Sequence, residues 1–260
     1  MKAVRRIRLV APFKPCPLET HTHQTLGADF WMGALSLLNE SAQISNNVSV
    51  FALTDQTSHL PIPTLRYDTT ETRLMLWLLE VCVAYLRSDN FDRDTVMLDV
   101  DQLIVKDLRP YFTEADLAVC LRKPPRRPNG MRILNGVQFW RHRGKAQLIA
   151  FYEFVLETAR TMSEGSIRWG ADGFALRDCL EPLENNYHVR HGCRVAFLPA
   201  TNIIEEWTSQ HQREALNGRF LCGGPRRPVL DFRNRRKYDG NMQVAFDLWR
   251  RTFPLEAVPA

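Results

Sequence analysis

Residues 94–108 read DTVMLDVDQLIVKDL, from Asp94 to Leu108. A short apolar run, Val96 to Leu98, gives way to two carboxylates, Asp99 and Asp101, with Val100 between them; apolar residues resume at Leu103, Ile104 and Val105. Alternate residues of a strand share a face, so this spacing predicts that Asp99 and Asp101 project together from a strand's end. Paired carboxylates there suit a hard divalent cation, because Mg²⁺ and Mn²⁺ take oxygen ligands and bridge to phosphates. Solvated acids at a polar strand end account for the same two residues equally well. The flanking chain has to decide.

Upstream, Arg6 to Ala11 reads as a first strand, stopped by Pro12. Residues 28–41 form a helix with Phe30, Trp31, Ala34, Leu35 and Leu38 along one face. Val48 to Thr54 is a second strand with Asp55 at its carboxyl end, and residues 70–87 a helix apolar on nearly all sides and therefore buried. The order is strand, helix, strand, helix, strand, with acids at two strand ends. Such alternation predicts a parallel α/β sheet, whose ligands bind beyond the carboxyl ends of the strands. The acids fall at that edge, which favours the metal reading.

Downstream, Asp107 to Phe112 reads as a short turn of helix and Asp116 to Leu121 as a strand, followed by a basic loop, Arg122 to Gly130. Ile133 to Trp140 is a strand with Asn135-Gly136 embedded in it, and a strand glycine signals a bulge or a close backbone approach. Residues 144–160 form an amphipathic helix with Leu148, Tyr152, Val155, Leu156 and Ala159 inward. Asp172 opens the next helix, within residues 169–181. Val195 to Leu198 and Val229 to Phe232 are late strands, and the last runs into the cationic RNRRK and a helix carrying Phe246, Leu248 and Trp249. The polar, Gly- and Pro-rich residues 208–228 resist assignment, with a mobile flap as one reading. With no internal repeat, residues 1–260 are expected to form a single domain.

Composition bounds the function. The chain is 45% hydrophobic and 24% charged, the balance of a globular protein, and no segment has the roughly 18 uninterrupted apolar residues of a membrane helix. The basic N-terminus lacks an apolar signal-peptide core, so a cytoplasmic location is expected. Six scattered cysteines form no CxxC pair and suggest neither zinc nor a redox motif, and His21-Thr22-His23 is too sparse for a metal site. A net charge of +5 fits an acidic ligand.

Taken in order, IRLVAPF, FALTD, TVMLDVDQLIVKDLRPYF, ILNGVQFWR, WGADGFAL and VLDFRNRRK resemble the metal-dependent nucleotide-sugar glycosyltransferases of the GT-A fold, above all family 8 and related bacterial and phage enzymes. The resemblance implies a mixed, mostly parallel α/β sheet flanked by helices. It implies transfer of a sugar, with retention of configuration, from a nucleotide-diphosphate-sugar donor to an acceptor that the sequence does not name. By the same resemblance, Asp99 and Asp101 hold Mn²⁺ or Mg²⁺ on the diphosphate, and Asp99 also lies near the ribose or sugar. Ala11, Pro12, Thr54 and Asp55 line the nucleotide pocket, and Arg73 reaches toward the sugar or phosphates. Asn135 and Gly136 contact the donor sugar and Asp172 its hydroxyls; in an inverting enzyme Asp172 becomes the candidate base. Arg236 and Lys237 grip the diphosphate. Asp231 stands where the family has a histidine metal ligand, Gly173 where many relatives have glutamine, and Asn234 where the motif has glycine.

Each residue also has an ordinary reading. Asn135-Gly136 is a common turn signal, Asp172 a usual helix-start acid, and Arg235 to Lys237 a solvated charge run. Two other functions fit parts of the same sequence. A Mg²⁺-dependent phosphohydrolase of haloacid-dehalogenase type needs Gly-Thr where Gln102-Leu103 stands, and its acids after the first strand. A basic nucleic-acid-binding protein using KPPRRP and RNRRK explains the charge but not acids at strand ends. The combined reading is a metal-dependent glycosyltransferase with no nucleic-acid partner.

Overall fold

The computed structural model describes residues 6–15, 28–122, 133–181, 187–220, 224–232 and 241–252. Its strands are β1 (Ile7–Pro12), β2 (Val50–Thr54), β3 (Thr64–Arg66), β4 (Asp94–Leu98), β5 (Gln102–Ile104), β6 (Leu117–Leu121), β7 (Ile133–Trp140), β8 (Tyr187–Arg190), β9 (Cys193–Pro199), β10 (Ile204–Glu206) and β11 (Val229–Asp231). Its helices are α1 (Ala28–Asn46), α2 (Leu74–Arg87), α3 (Lys145–Arg160), α4 (Glu164–Trp169), α5 (Ala171–Leu180), α6 (Ala200–Ile203), α7 (Ser209–Leu216) and α8 (Asn241–Thr252). A short 3-10 turn, Arg109–Tyr111, falls in the stretch read as a turn of helix.

Eight strands form the main sheet in the order β3-β2-β1-β4-β7-β6-β9-β8, and β10-β11-β5 form a smaller one. In the main sheet β3, β2, β1 and β4 run parallel, as do β6 and β9; β7 is antiparallel to both neighbours, β4 and β6, and β8 to β9. The sheet is thus mixed and mostly parallel. Alternation along each strand sends side chains to two cores. Val10, Leu53, Met97, Val119 and Trp140 pack against α2, α3 and α5, while Leu9, Ala52, Val96, Leu98 and Phe139 face α1. On α2, Leu76, Trp77, Leu79, Val81, Cys82, Val83, Tyr85 and Leu86 are all buried, as its all-round apolarity predicts. Each of its larger side chains contributes about 1.5–3 kcal/mol by leaving water.

Three departures from the sequence reading each have a physical reason. Helix α1 runs past Ser41 to Asn46 because its polar end is used inside the protein. Ser41 Oγ accepts the Ile104 N–H at 3.0 Å, and Asn46 Oδ1 accepts that of Leu108 at 2.9 Å, so α1 secures the chain around β5. Helix α2 starts at Leu74, since the Glu80 carboxylate takes the Thr70 and Glu71 N–H groups into a run-in loop. Within residues 208–228, α7 forms behind a capping box in which Thr208 and His211 satisfy each other's backbone N–H. The short strands β3, β8 and β10 have no clear periodicity and escape sequence reading. Among the described residues no helix is long and apolar enough to cross a membrane.

Candidate active site

The carboxyl ends of β1, β2 and β4 share one edge of the main sheet. Strand β7 runs the other way, with Met97 opposite Gln138 and Leu98 opposite Val137, so its early residues Asn135 and Gly136 arrive at that same edge. This antiparallel strand is what brings Asn135-Gly136 beside Asp99.

The acids themselves are arranged differently from the sequence expectation. Strand β4 ends at Leu98, and Asp99, Val100 and Asp101 form a turn rather than alternate positions of one strand. Asp99 is exposed, whereas Asp101 is only 7% exposed. The chain turns because β5 leaves the main sheet to pair with β11, where Asp231 lies opposite Gln102 and the Phe232 N–H donates to the Asp101 carbonyl at 3.1 Å. Gln102 joins the two sheets. Its Oε1 accepts the Asp99 N–H at 3.3 Å, and its Nε2 donates to Asp231 Oδ1 at 3.3 Å.

Gly136 shows both features expected of a strand glycine. The β6–β7 register skips, from Val119 opposite Gln138 to Cys120 opposite Leu134, which leaves Asn135, Gly136 and Val137 as a bulge. The Gly136 carbonyl accepts the Asp99 N–H at 2.9 Å. A Cβ at this position would lie 2.6 Å from Asp99 Oδ2 and 2.8 Å from Gln102 Nε2, so only glycine allows the contact.

Asp172 enters from the first turn of α5, where the positive end of the helix dipole favours an acid. Helices α4 and α5 meet at Gly170, whose φ of 149° lies in a region other residues avoid. Burial pushes the Asp172 carboxyl above its ordinary value, against hydrogen bonds from the Gly173 N–H, from Asn135 Nδ2 and from its own N–H. The resulting cleft has Pro12, Leu78, Leu79, Cys82 and Met97 as its apolar wall and Asp99, Asn135, Gln138, Tyr152 and Asp172 as polar members. That mixture suits a ligand with sugar hydroxyls and charged phosphates.

The remaining predicted residues occupy varied positions. Pro12 lines the cleft, while Ala11 packs into the core on the α1 side. Thr54 is fully buried, and its hydroxyl has no hydrogen-bond partner among the described residues. Asp55 Oδ1 accepts the N–H groups of Thr57 and Ser58 at 3.0 and 2.8 Å, and Lys14 lies 3.4 Å from Oδ2. Burial acts to raise the Asp55 carboxyl, but Ser58, Thr57 and Lys14 together bring it down to about 2. Arg73 sits at the start of α2, exposed, facing Glu71 at 3.4 Å and Glu164 at 3.5 Å rather than lining the cleft. Arg236 and Lys237, with Asn234, Arg235, the Lys123–Pro128 loop and His21 to His23, lie outside the described residues. Sequence reasoning missed Lys14, Gln102, Gln138 and Tyr152. For Gln138 the signal was a lone amide within an otherwise apolar strand.

Among the described residues no three His, Cys, Asp or Glu side chains form a group able to hold a metal ion. The donor chemistry still fits a hard cation. Mg²⁺ and Mn²⁺ commonly use one or two protein carboxylates and take their other oxygens from substrate phosphates and water. Asp101 and Asp231, 7% and 2% exposed, are acids whose burial a nearby cation would offset.

No protein-family model and no curated protein sequence matches this chain. Solved structures do match in fold. A glycosyltransferase involved in glycosylation of the major capsid of PBCV-1 aligns over 91% of this chain and 98% of its own, with TM-score 0.52 and 12% identity. The apo-form glycosyltransferase GlyE of Streptococcus pneumoniae TIGR4 aligns over 95% of this chain and 62% of its own, with TM-score 0.56 and 11% identity. An active-site mutant of LgtC aligns over 98% of both chains, with TM-score 0.53 and 12% identity. The chain therefore has a GT-A-like glycosyltransferase fold.

Proposed function

We propose that the protein is a metal-dependent glycosyltransferase that moves a sugar from a nucleotide-diphosphate-sugar donor to an acceptor. The observation that carries this reading is the convergence of Asp99, Asn135 and Asp172 in one cleft at the carboxyl edge of a GT-A-like sheet, with Gly136 packed against Asp99. Asp99 and Asp101 would hold Mn²⁺ or Mg²⁺, with Asp231 as a further candidate ligand from β11. Bound there, the cation supplies electrostatic stabilisation to the charge that grows on the departing diphosphate. Pro12, Thr54 and Asp55 would border the nucleotide, and Arg236 and Lys237 would approach the diphosphate. Asn135 and Asp172 would orient the sugar through its hydroxyls, the Asp172 carboxylate accepting a hydrogen bond. Retention of configuration and action in the cytoplasm belong to the same proposal.

The phosphohydrolase reading needs a nucleophile and a general acid facing one substrate. Here the Asp99–Asp101 turn follows β4 rather than the first strand, and Gln102-Leu103 stands where that chemistry has Gly-Thr, which favours the transferase.

Thermal shift with a panel of nucleotide sugars, with and without Mn²⁺, tests the proposal. At least one donor should raise the melting temperature only when metal is present, by several degrees at about 100 times its Kd. A folded protein that responds to no donor would overturn the reading. Within the site, Asp231→Asn should weaken the metal-dependent shift about tenfold in apparent affinity, as loss of one charged oxygen ligand implies. An unchanged metal titration would remove Asp231 from the ligand set.

A further inference from the structure

Gln138 is 1% exposed and sits in β7 among the buried residues Val137, Phe139 and Trp140. A buried primary amide must satisfy both its carbonyl and its NH₂ donors. Its neighbours allow one orientation. The Trp140 indole N–H, which donates and cannot accept, points at Gln138 Oε1 at 3.2 Å and at the Tyr152 hydroxyl oxygen at 3.0 Å. The Tyr152 hydroxyl donates to the same Oε1. Burial holds the Tyr152 phenol well above its ordinary value, so it stays protonated and stays a donor.

With its carbonyl occupied, Gln138 turns Nε2 toward residue 135. It donates to Asn135 Oδ1 and, at 3.2 Å, to the Asn135 backbone carbonyl. Asn135 is left with its Nδ2 for the next partner, Asp172 Oδ2. Turning over either amide would set donor against donor, or acceptor against acceptor, along the line.

We propose that Gln138 is a positioning residue: pinned by Trp140 and Tyr152, it gives a one-way hydrogen-bond relay through Asn135 that holds the Asp172 carboxylate in the cleft as an acceptor for a substrate hydroxyl. The substrate role of Asp172 rests on the transferase reading, whereas the direction of the relay can be tested without any ligand.

The test is reversal of polarity, read as melting temperature at pH 8. In Gln138→Glu the introduced carboxylate accepts from Trp140 and Tyr152 and also draws the Asn135 NH₂ to itself. Asn135 Oδ1 is then left facing the Asp172 carboxylate. This mismatch should lower the melting temperature by about 4–8 °C. The double variant Gln138→Glu with Asp172→Asn restores a donor opposite Asn135 Oδ1. There the same change at position 138, measured against Asp172→Asn alone, should lower the melting temperature by less than half as much. Equal losses in the two backgrounds, or failure of both Gln138→Glu variants to fold, would overturn the relay. Plain repulsion between two nearby carboxylates would also be relieved by Asp172→Asn, so the same changes are repeated with Asn135→Ala: the rescue should vanish without the Asn135 amide, and a rescue that survives would assign it to charge alone and overturn the relay. Rescue in a protein that binds no nucleotide sugar would uphold the relay and reject the transferase reading alone.

Discussion

Gly136→Ala should abolish metal-dependent donor binding while leaving the protein folded. The added methyl would stand 2.6 Å from Asp99 Oδ2 and 2.8 Å from Gln102 Nε2. Both are ends of side chains: the exposed Asp99 can swing away, whereas the fully buried Gln102 amide must shift and weaken its bond to Asp231, so the side chains yield before the strand does. The stability loss should be about 1–2 kcal/mol, within the range for an inserted methylene, a fall of about 2–8 °C in melting temperature for a chain of this size. The functional loss should be far larger, because a displaced carboxylate no longer meets cation or diphosphate. Losing one preorganised electrostatic group at a reacting centre reduces turnover about 10²–10³-fold. Asp99→Asn provides the matching control: its donor affinity should fall as far, with even less change in melting temperature. Donor binding by Gly136→Ala at the wild-type level would mean that Asp99 plays no part in the site, whatever the fold.

The alternation of strands and helices was legible because each element carries its own period. The apolar surround of α2, the inward stripe Leu148, Tyr152, Val155, Leu156 and Ala159 of α3, and the bulge at Asn135-Gly136 are local patterns, and all three stand in the structure. Asp99 at a strand's end was legible for the same reason. What the sequence hides is non-local. An apolar–Asp–x–Asp–apolar run fits one continuous strand or two strands joined by a turn, and the second form prevails only because β5 pairs with β11 from far along the chain. Strand direction is invisible in a hydrophobic pattern, so nothing in Ile133 to Trp140 announced that β7 runs antiparallel and so delivers Asn135 to the edge. The polar end of α1 looked like a terminus because Ser41 and Asn46 find their partners around β5. Gln138 could be noticed as an oddity, but its role depends on where Trp140, Tyr152 and Asp172 stand in space.

Asp116→Ala should produce the largest loss of stability while hardly changing donor affinity. Asp116 precedes β6 at the end of the sheet opposite the cleft and ties together three parts of the chain. Its N–H donates to the Arg194 carbonyl at 2.9 Å, its carbonyl accepts the Arg141 N–H at 2.8 Å, and its carboxylate accepts Arg194 Nε at 3.0 Å and Nη2 at 2.6 Å. The carboxylate also takes the Arg194 backbone N–H at 3.0 Å, which the alanine variant leaves without that acceptor. Breaking a buried ion pair costs about 3–5 kcal/mol. The Asp116 side chain is 5% exposed but that of Arg194 is 42% exposed, so water recovers part of the loss. About 2–3 kcal/mol is expected, a fall of roughly 4–12 °C in melting temperature. The pH dependence gives the interaction a signature. Burial acts to raise the Asp116 carboxyl, and Arg194 overcomes it, so the folded value lies below the ordinary 3.8. A carboxyl depressed on folding contributes its full stability above the unfolded value, about 3.9, and loses it as pH falls through the folded one. The gap in melting temperature between the wild type and Asp116→Asn should therefore be widest near neutrality and close as the pH drops below about 4. A gap that persists unchanged at acid pH would assign the loss to packing and not to the ion pair.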